Sequence, residues 1–305
     1  MGTSASSNGP GGGVPLVPPW VPPVPPMPPP PVSPVPPVDG QGAGPADGDG
    51  QNGSAPASPQ PQQPAQAQPS PMAPAKRFLG ARLNFGKFAG GGGGGAVGGA
   101  GGRKMRRGLR DYVRKGYGGR ENTVKRFGGT ASTAGNLYGA LSSVAGGQAT
   151  APGSPLDPAL LAGRSAREVM DAIVEAVRPA DGTQDAEASR YAIKDALSEL
   201  LTMFPEADLL NLTEDQRGTA IERYVAIDVY QRAMLDIGKA IQAKAPTATV
   251  ALSCLKEVKE YIKQNVAAAF RKLRGAGQRV TTGHVNQVVR AALDETFKVF
   301  EEYRR

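Results

Sequence analysis

Apolar positions in the second half of the chain recur at helical spacing. Ser165-x-x-Glu168 is a capping box, and Val169, Ile173 and Val177 form the stripe after it, which Pro179 ends. Residues 184–204 line up Ile193, Leu197, Leu200, Leu201 and Phe204 before Pro205 stops them. Thr213-x-x-Gln216 opens a long helix carrying Ile221, Tyr224, Val225, Ile227, Leu235 and Ile241, ending before Pro246. Residues 249–274 and 283–304 supply two more, the last presenting Val285, Val288, Val289, Ala292, Val299 and Tyr303. No stretch alternates apolar and polar residues as a half-buried strand does. The pattern predicts an all-α bundle of about five helices over residues 155–305.

Upstream the periodicity is shorter and broken by glycine. Residues 76–88 interleave cations with Phe78, Phe85 and Phe88, and a glycine-rich insert follows at 90–102. Met105, Leu109, Tyr112 and Val113 then fall at helical spacing, with Arg106, Arg110 and Arg114 at i, i+4 intervals on another face. Gly116, Gly118 and Gly119 stop that piece, and two further short helices are expected near 121–127 and 133–145. Such pieces are marginal alone, so they need the C-terminal body or a partner to dock on.

The first 75 residues show no packing pattern. Residues 14–37 mix Val with runs of Pro, which favours extended polyproline II, and 39–75 read as a flexible linker. Four regions result: a head peptide at 1–22, a disordered Pro-rich linker at 23–75, a basic Gly-rich segment at 76–150 and the bundle at 155–305.

Charge sharpens that division. The net charge of +8 is carried by residues 76–130, where fourteen Lys and Arg face only Asp111 and Glu121. Such a segment suits nucleic acid, an anionic surface or an acidic protein face. The single cysteine, Cys254, rules out an internal disulfide, as a reducing cytoplasm would favour. No run of apolar residues is long enough to span a membrane, and no secretion signal opens the chain.

Candidate chemistry is sparse. The lone histidine, His284, sits at an expected helix start, and Cys254 lies in an apolar run that predicts burial. One Cys and one His do not make a zinc site of the usual kind. Gly102-Arg103-Lys104-Met105 lacks the Ser/Thr and the preceding strand of a P-loop. The residues expect no enzyme, no metal and no cofactor. For docking or nucleic-acid contact the candidates are Arg77, Phe78, Arg82, Phe85, Phe88, Arg106, Arg107, Arg110, Tyr112 and Arg114, which could hold phosphates and stack on bases or fill a partner's groove.

The head is the other candidate. Removal of Met1 would leave Gly2 as an N-terminal amine with a pKa of roughly 7.7–8.0, partly unprotonated at neutral pH. Thr3, Ser4, Ser6, Gly9 and Pro10 follow it, then Leu16, Val17, Pro18 and Trp20, the only tryptophan. Met1-Gly2-x-x-x-Ser6 also matches a myristoylation pattern, which would require a eukaryotic host.

The head, Met1-Gly2-Thr3-Ser4-x-Ser6-x-x-Gly9-Pro10 with Leu16-Val17-Pro18-x-Trp20-Val21, resembles that of QatB, the B component of the Qat anti-phage defence system. The resemblance continues through Arg77-Phe78-x-x-Ala81-Arg82-x-x-Phe85-x-x-Phe88 and Leu109-x-x-Tyr112-Val113-Arg114-x-Gly116-x-Gly118-Gly119. It implies a cytoplasmic, non-enzymatic component that works beside an ATPase (QatA), a QueC-like enzyme (QatC) and a TatD-like nuclease (QatD). It further implies that Gly2 is presented to the QueC-like enzyme for conjugation to a 7-deazaguanine. A nucleic-acid-binding adaptor that recruits the nuclease through residues 76–130 is the alternative.

Overall fold

A computed structural model describes residues 76–91, 99–147 and 153–303. The expectations for the head and the Pro-rich linker, residues 1–75, lie outside this range. Among the described residues every regular element is helical.

Five long helices form where the apolar stripes predict them: α6 (Ala166–Val177), α7 (Gln184–Met203), α8 (Glu214–Lys244), α9 (Ala248–Gly275) and α10 (Val285–Glu302). Four of their starts are capped by side chains, α6 and α8 as the sequence suggests, while α10 has no side-chain cap. Ser165 and Glu168, and Thr213 and Gln216, close reciprocal capping boxes, while Thr183 and Thr247 cap α7 and α9. A single turn, α5 (Pro158–Leu161), precedes them and was not anticipated. Two stripe positions face outward: Leu235 and Val299 are 46% and 48% exposed.

Before these lie α1 (Leu79–Gly90), α2 (Ala100–Asp111), a π-helical turn at Tyr112–Gly116, α3 (Arg120–Arg126) and α4 (Gly128–Ala145). α1 was not legible as a helix from its mixed pattern. Gly118 and Gly119 adopt positive φ of 79° and 112° and end the π turn, as their placement predicts.

α8, about 46 Å long at 1.5 Å per residue, is the axis of the fold. α1, α4, α7 and α9 pack along it, and α10 closes the far side against α9, α4, α3 and α2. One continuous core runs from Phe78 to Phe300. A chain of ring contacts crosses it: Phe78–Tyr112, Tyr112–Tyr117, Tyr117–Phe127, Phe127–Phe297, Phe297–Phe300 and Phe300–Tyr261, with centroids 5.1–6.4 Å apart. The short helices therefore dock on the C-terminal body, and glycine makes the approach possible. A Cβ on Gly108 would sit 2.7 Å from the Phe85 ring, and one on Gly116 would sit 2.5 Å from that of Phe78. A longer residue at either site has no room.

Candidate functional site

α8 carries an acid–base–acid repeat, Asp228, Arg232 and Asp236, at i, i+4 and i+8 on a face turned toward α4, α7 and the π turn. Asp228 is fully buried. Its carboxylate accepts hydrogen bonds from the Thr130 hydroxyl of α4, the Ser189 hydroxyl of α7 at 2.7 Å and Arg232 Nε at 2.8 Å. Arg232 reaches on to Asp185 at 2.9 Å, and Asp185 also takes Arg126 of α3 at 2.7 Å. Burial pulls the Arg232 pKa down, but the Asp228 and Asp185 carboxylates outweigh it and hold the guanidinium above its ordinary value. The buried charges are thus paired and hydrogen-bonded, the condition under which they are tolerated.

One turn along, Asp236 accepts from both Tyr112 and Tyr117 hydroxyls at 3.1 Å. Burial lifts the Asp236 carboxyl above the usual carboxylate range, against the two hydroxyl donors and the Arg77 and Arg126 charges that lower it. Burial likewise pushes the Tyr112 phenol well up. The Asp236 backbone carbonyl takes Arg82 Nε at 2.8 Å. Arg77 donates to the Gly116 carbonyl and lies over the Tyr117 ring at 4.4 Å. Tyr117, Arg126, Asp185, Arg232, Leu235 and Asp236 line a small cavity of about 30 Å³ between these groups. The arrangement fastens the first described residues, 76–82, to the middle of the longest helix.

These contacts sort the residues expected to meet a partner. Phe85 and Phe88 are fully buried, and Tyr112 and Phe78 are nearly so. These rings hold the segment to the body; they are not offered to bases or to a groove, because the core beneath α1 and α2 is where their apolar area is removed from water. Arg77 is half-buried against Gly116 and Tyr117, and Arg82 stays exposed while its Nε donates to the Asp236 carbonyl. Arg106 lies over the Tyr303 ring at 4.9 Å. Arg114 is exposed and Arg107 half-buried, and Arg103 is exposed on the same helix. Gly2, Thr3, Ser4, Ser6, Gly9, Pro10, Leu16, Val17, Pro18 and Trp20 lie outside the described residues.

His284 is exposed at the start of α10, 3.4 Å from the Thr281 hydroxyl, and Cys254 is buried in the core. Among the described residues no three His, Cys, Asp or Glu side chains converge as metal ligands would. No described helix is long and apolar enough to cross a membrane. The Asp228–Arg232–Asp236 repeat was readable as charges one turn apart between apolar neighbours, yet the sequence does not say that Thr130 and Ser189 meet it.

The family model described as "Qat anti-phage system associated protein QatB" matches residues 118–300, which takes in α3 to α9 and nearly all of α10. No curated protein and no solved structure matches the chain.

Proposed function

The chain belongs to the QatB family and is a component of an anti-phage defence system; from that premise we propose that it is a scaffold and substrate for its system rather than an enzyme. The observation that carries the reading is the head, Met1-Gly2-Thr3-Ser4 with Leu16-Val17-Pro18-Pro19-Trp20, an uncharged peptide far along the chain from the helical body. In this reading Gly2, freed by removal of Met1, offers its amine to a QueC-like enzyme that has activated a 7-deazaguanine carboxylate with ATP. The unprotonated amine attacks the carboxyl carbon. A C–N bond forms, the C–O bond to the activating group breaks, and the amine loses a proton, leaving an amide. Thr3 to Pro10 thread the partner's site and Leu16 to Trp20 anchor outside it. The body contributes a fixed root, because Arg77, next to the first described residue, is held between Gly116 and Tyr117. Its His284 and Cys254 have structural surroundings that ask for no catalytic role. The ATPase and the TatD-like nuclease are the remaining partners proposed, and the cytoplasm the compartment.

Intact mass of the N-terminal peptide tests this, with the protein produced with and without the QueC-like partner. A deazaguanine-sized addition on Gly2 that depends on the partner is expected, and Gly2→Phe should lose both the addition and protection from phage. An unmodified Gly2 in both samples, or full protection by Gly2→Phe, would sink the proposal.

A further inference from the structure

α2 and the π turn divide their residues cleanly between two faces. Met105, Gly108, Leu109, Tyr112 and Val113 are buried. At 100° per residue, Arg103, Arg107 and Arg110 of α2 fall within an arc of about 60° on the opposite side, and Arg114, exposed in the π turn, follows Arg110 by one turn. They span about 16 Å along the axis, one arginine per turn. Arg103, Arg107 and Arg114 make no hydrogen bond, ion pair or ring contact among the described residues, and Arg110 has only Asp111 at 3.6 Å. Elsewhere among the described residues cations such as Arg190, Lys194, Lys259, Lys263 and Lys272 are each paired with a carboxylate, and unpaired ones such as Arg167, Arg271 and Arg290 stand on three different helices, not in a row. Exposed Lys87 lies beside Lys104, whose ammonium donates to the Lys87 carbonyl, and exposed Lys115 extends the row. Asp111 is buried beneath them, bonded to Asn84 and shared between Arg110 and Lys115.

We infer that this arginine face binds the phosphate backbone of double-stranded nucleic acid without reading its sequence. A protein interface is anchored by apolar and aromatic side chains near its centre, and this arc has none. Backbone binding needs only a row of cations that displaces counterions. Stacking on single-stranded bases needs exposed rings, and those of Phe78, Phe85, Phe88 and Tyr112 are in the core. Guanidinium groups suit phosphate oxygens because their forked donors match the geometry. The inference is independent of the fate of Gly2.

The test is fluorescence anisotropy of the full-length protein with two labelled DNA duplexes of unrelated sequence and a single strand of one of them, from about 50 to 200 mM salt. Equal affinity for the two duplexes, weaker binding of the single strand, and a log–log salt slope of about −3 to −4 for four contacts are expected. The triple variant R103E/R107E/R114E, whose changed residues support no contact in the fold, should keep its circular dichroism spectrum. It should bind at least about ten-fold more weakly, with a slope nearer −1. R167E/R271E/R290E, an equal change of net charge on other faces, should bind within about two-fold of the parent. Undetectable duplex binding, a flat salt response or equal weakening by both triples overturns the inference. So does a triple variant that binds duplex normally but no longer co-purifies with another Qat protein, which would make the face a dock for an acidic protein.

Discussion

α1 to α4 and α6 to α10 share one core yet are held in it by different means. The later helices carry broad aliphatic stripes, and α6 to α9 also have side-chain caps, so each has local reasons to be a helix where it is. The earlier ones lack side-chain caps, α1, α2 and α4 have glycine inside their turns, and α1 buries the Phe85 and Phe88 rings in place of an aliphatic stripe. Interior glycine costs a helix about 0.5–1 kcal/mol relative to alanine, so these helices depend on what they touch. Intrinsic helix preference has been given up for close approach: the Phe78 and Phe85 rings sit where a Cβ on Gly116 or Gly108 would have to be.

The joint between the two regions should be the most sensitive point. Asp228 joins α4 to α7 through Thr130 and Ser189 while fixing Arg232. Asp228→Ala should cost about 3–5 kcal/mol, since it leaves a buried guanidinium with one partner fewer and two hydroxyls without an acceptor. Urea unfolding of the full-length chain measures it. A loss below about 1 kcal/mol would mean that the rings alone join the regions.

Gly108→Ala comes next. Its Cβ would press on Phe85 at 2.7 Å, inside a core with no slack. A loss of about 1–3 kcal/mol is expected despite the gain in helix propensity. Combining it with Phe85→Leu, which removes the ring the Cβ meets, should cost less than the two single changes added together. Simple additivity would show that the steric account is wrong.

The same contrast explains what could be read from the sequence. Val169, Ile173 and Val177 announce α6 because an aliphatic stripe has a period, and Ser165-x-x-Glu168 announces its start because the cap is local. Phe78, Phe85 and Phe88 announce less. Rings among arginines fit a core, a groove or a stack of bases equally well, and only the neighbouring element decides which. Arg106 and Arg110 read as one face from their spacing, but that spacing does not say that Arg106 meets the ring of Tyr303, nearly two hundred residues later. The Asp228 network has the same difficulty, because its donors come from three helices and no local pattern joins them.

Glycine also gives the comparison its control. Gly218 in α8 and Gly139 in α4 would place a Cβ in open space. Alanine at either should stabilise by about 0.4–1 kcal/mol, one in each region. If Gly139→Ala destabilised as Gly108→Ala does, the sensitivity would belong to the whole early segment and not to ring contact.

The smallest effect is a difference of sign with pH. In α6, hydrogen bonds from the Ser165 backbone and hydroxyl, with help from Arg164, hold Glu168 down to about 2. A depressed carboxyl stabilises the fold above its unfolded pKa, about 4.3, and that contribution is lost as pH falls toward 2. Asp236, at the junction, is shifted the other way: burial raises it, so the folded state holds its proton more tightly than the unfolded chain does. Its contribution is fully present below the ordinary aspartate pKa of about 3.9 and is lost as pH rises through the raised value. Unfolding free energies of the parent minus Glu168→Gln should therefore climb from pH 2 to about 4.5. Those of the parent minus Asp236→Asn should fall as pH rises above about 4. Parallel slopes would mean that the Tyr112 and Tyr117 hydroxyls, with Arg77 and Arg126, outweigh burial at Asp236. The junction would then be a conventional anion site, held by its donors as firmly as the helix cap is by Ser165.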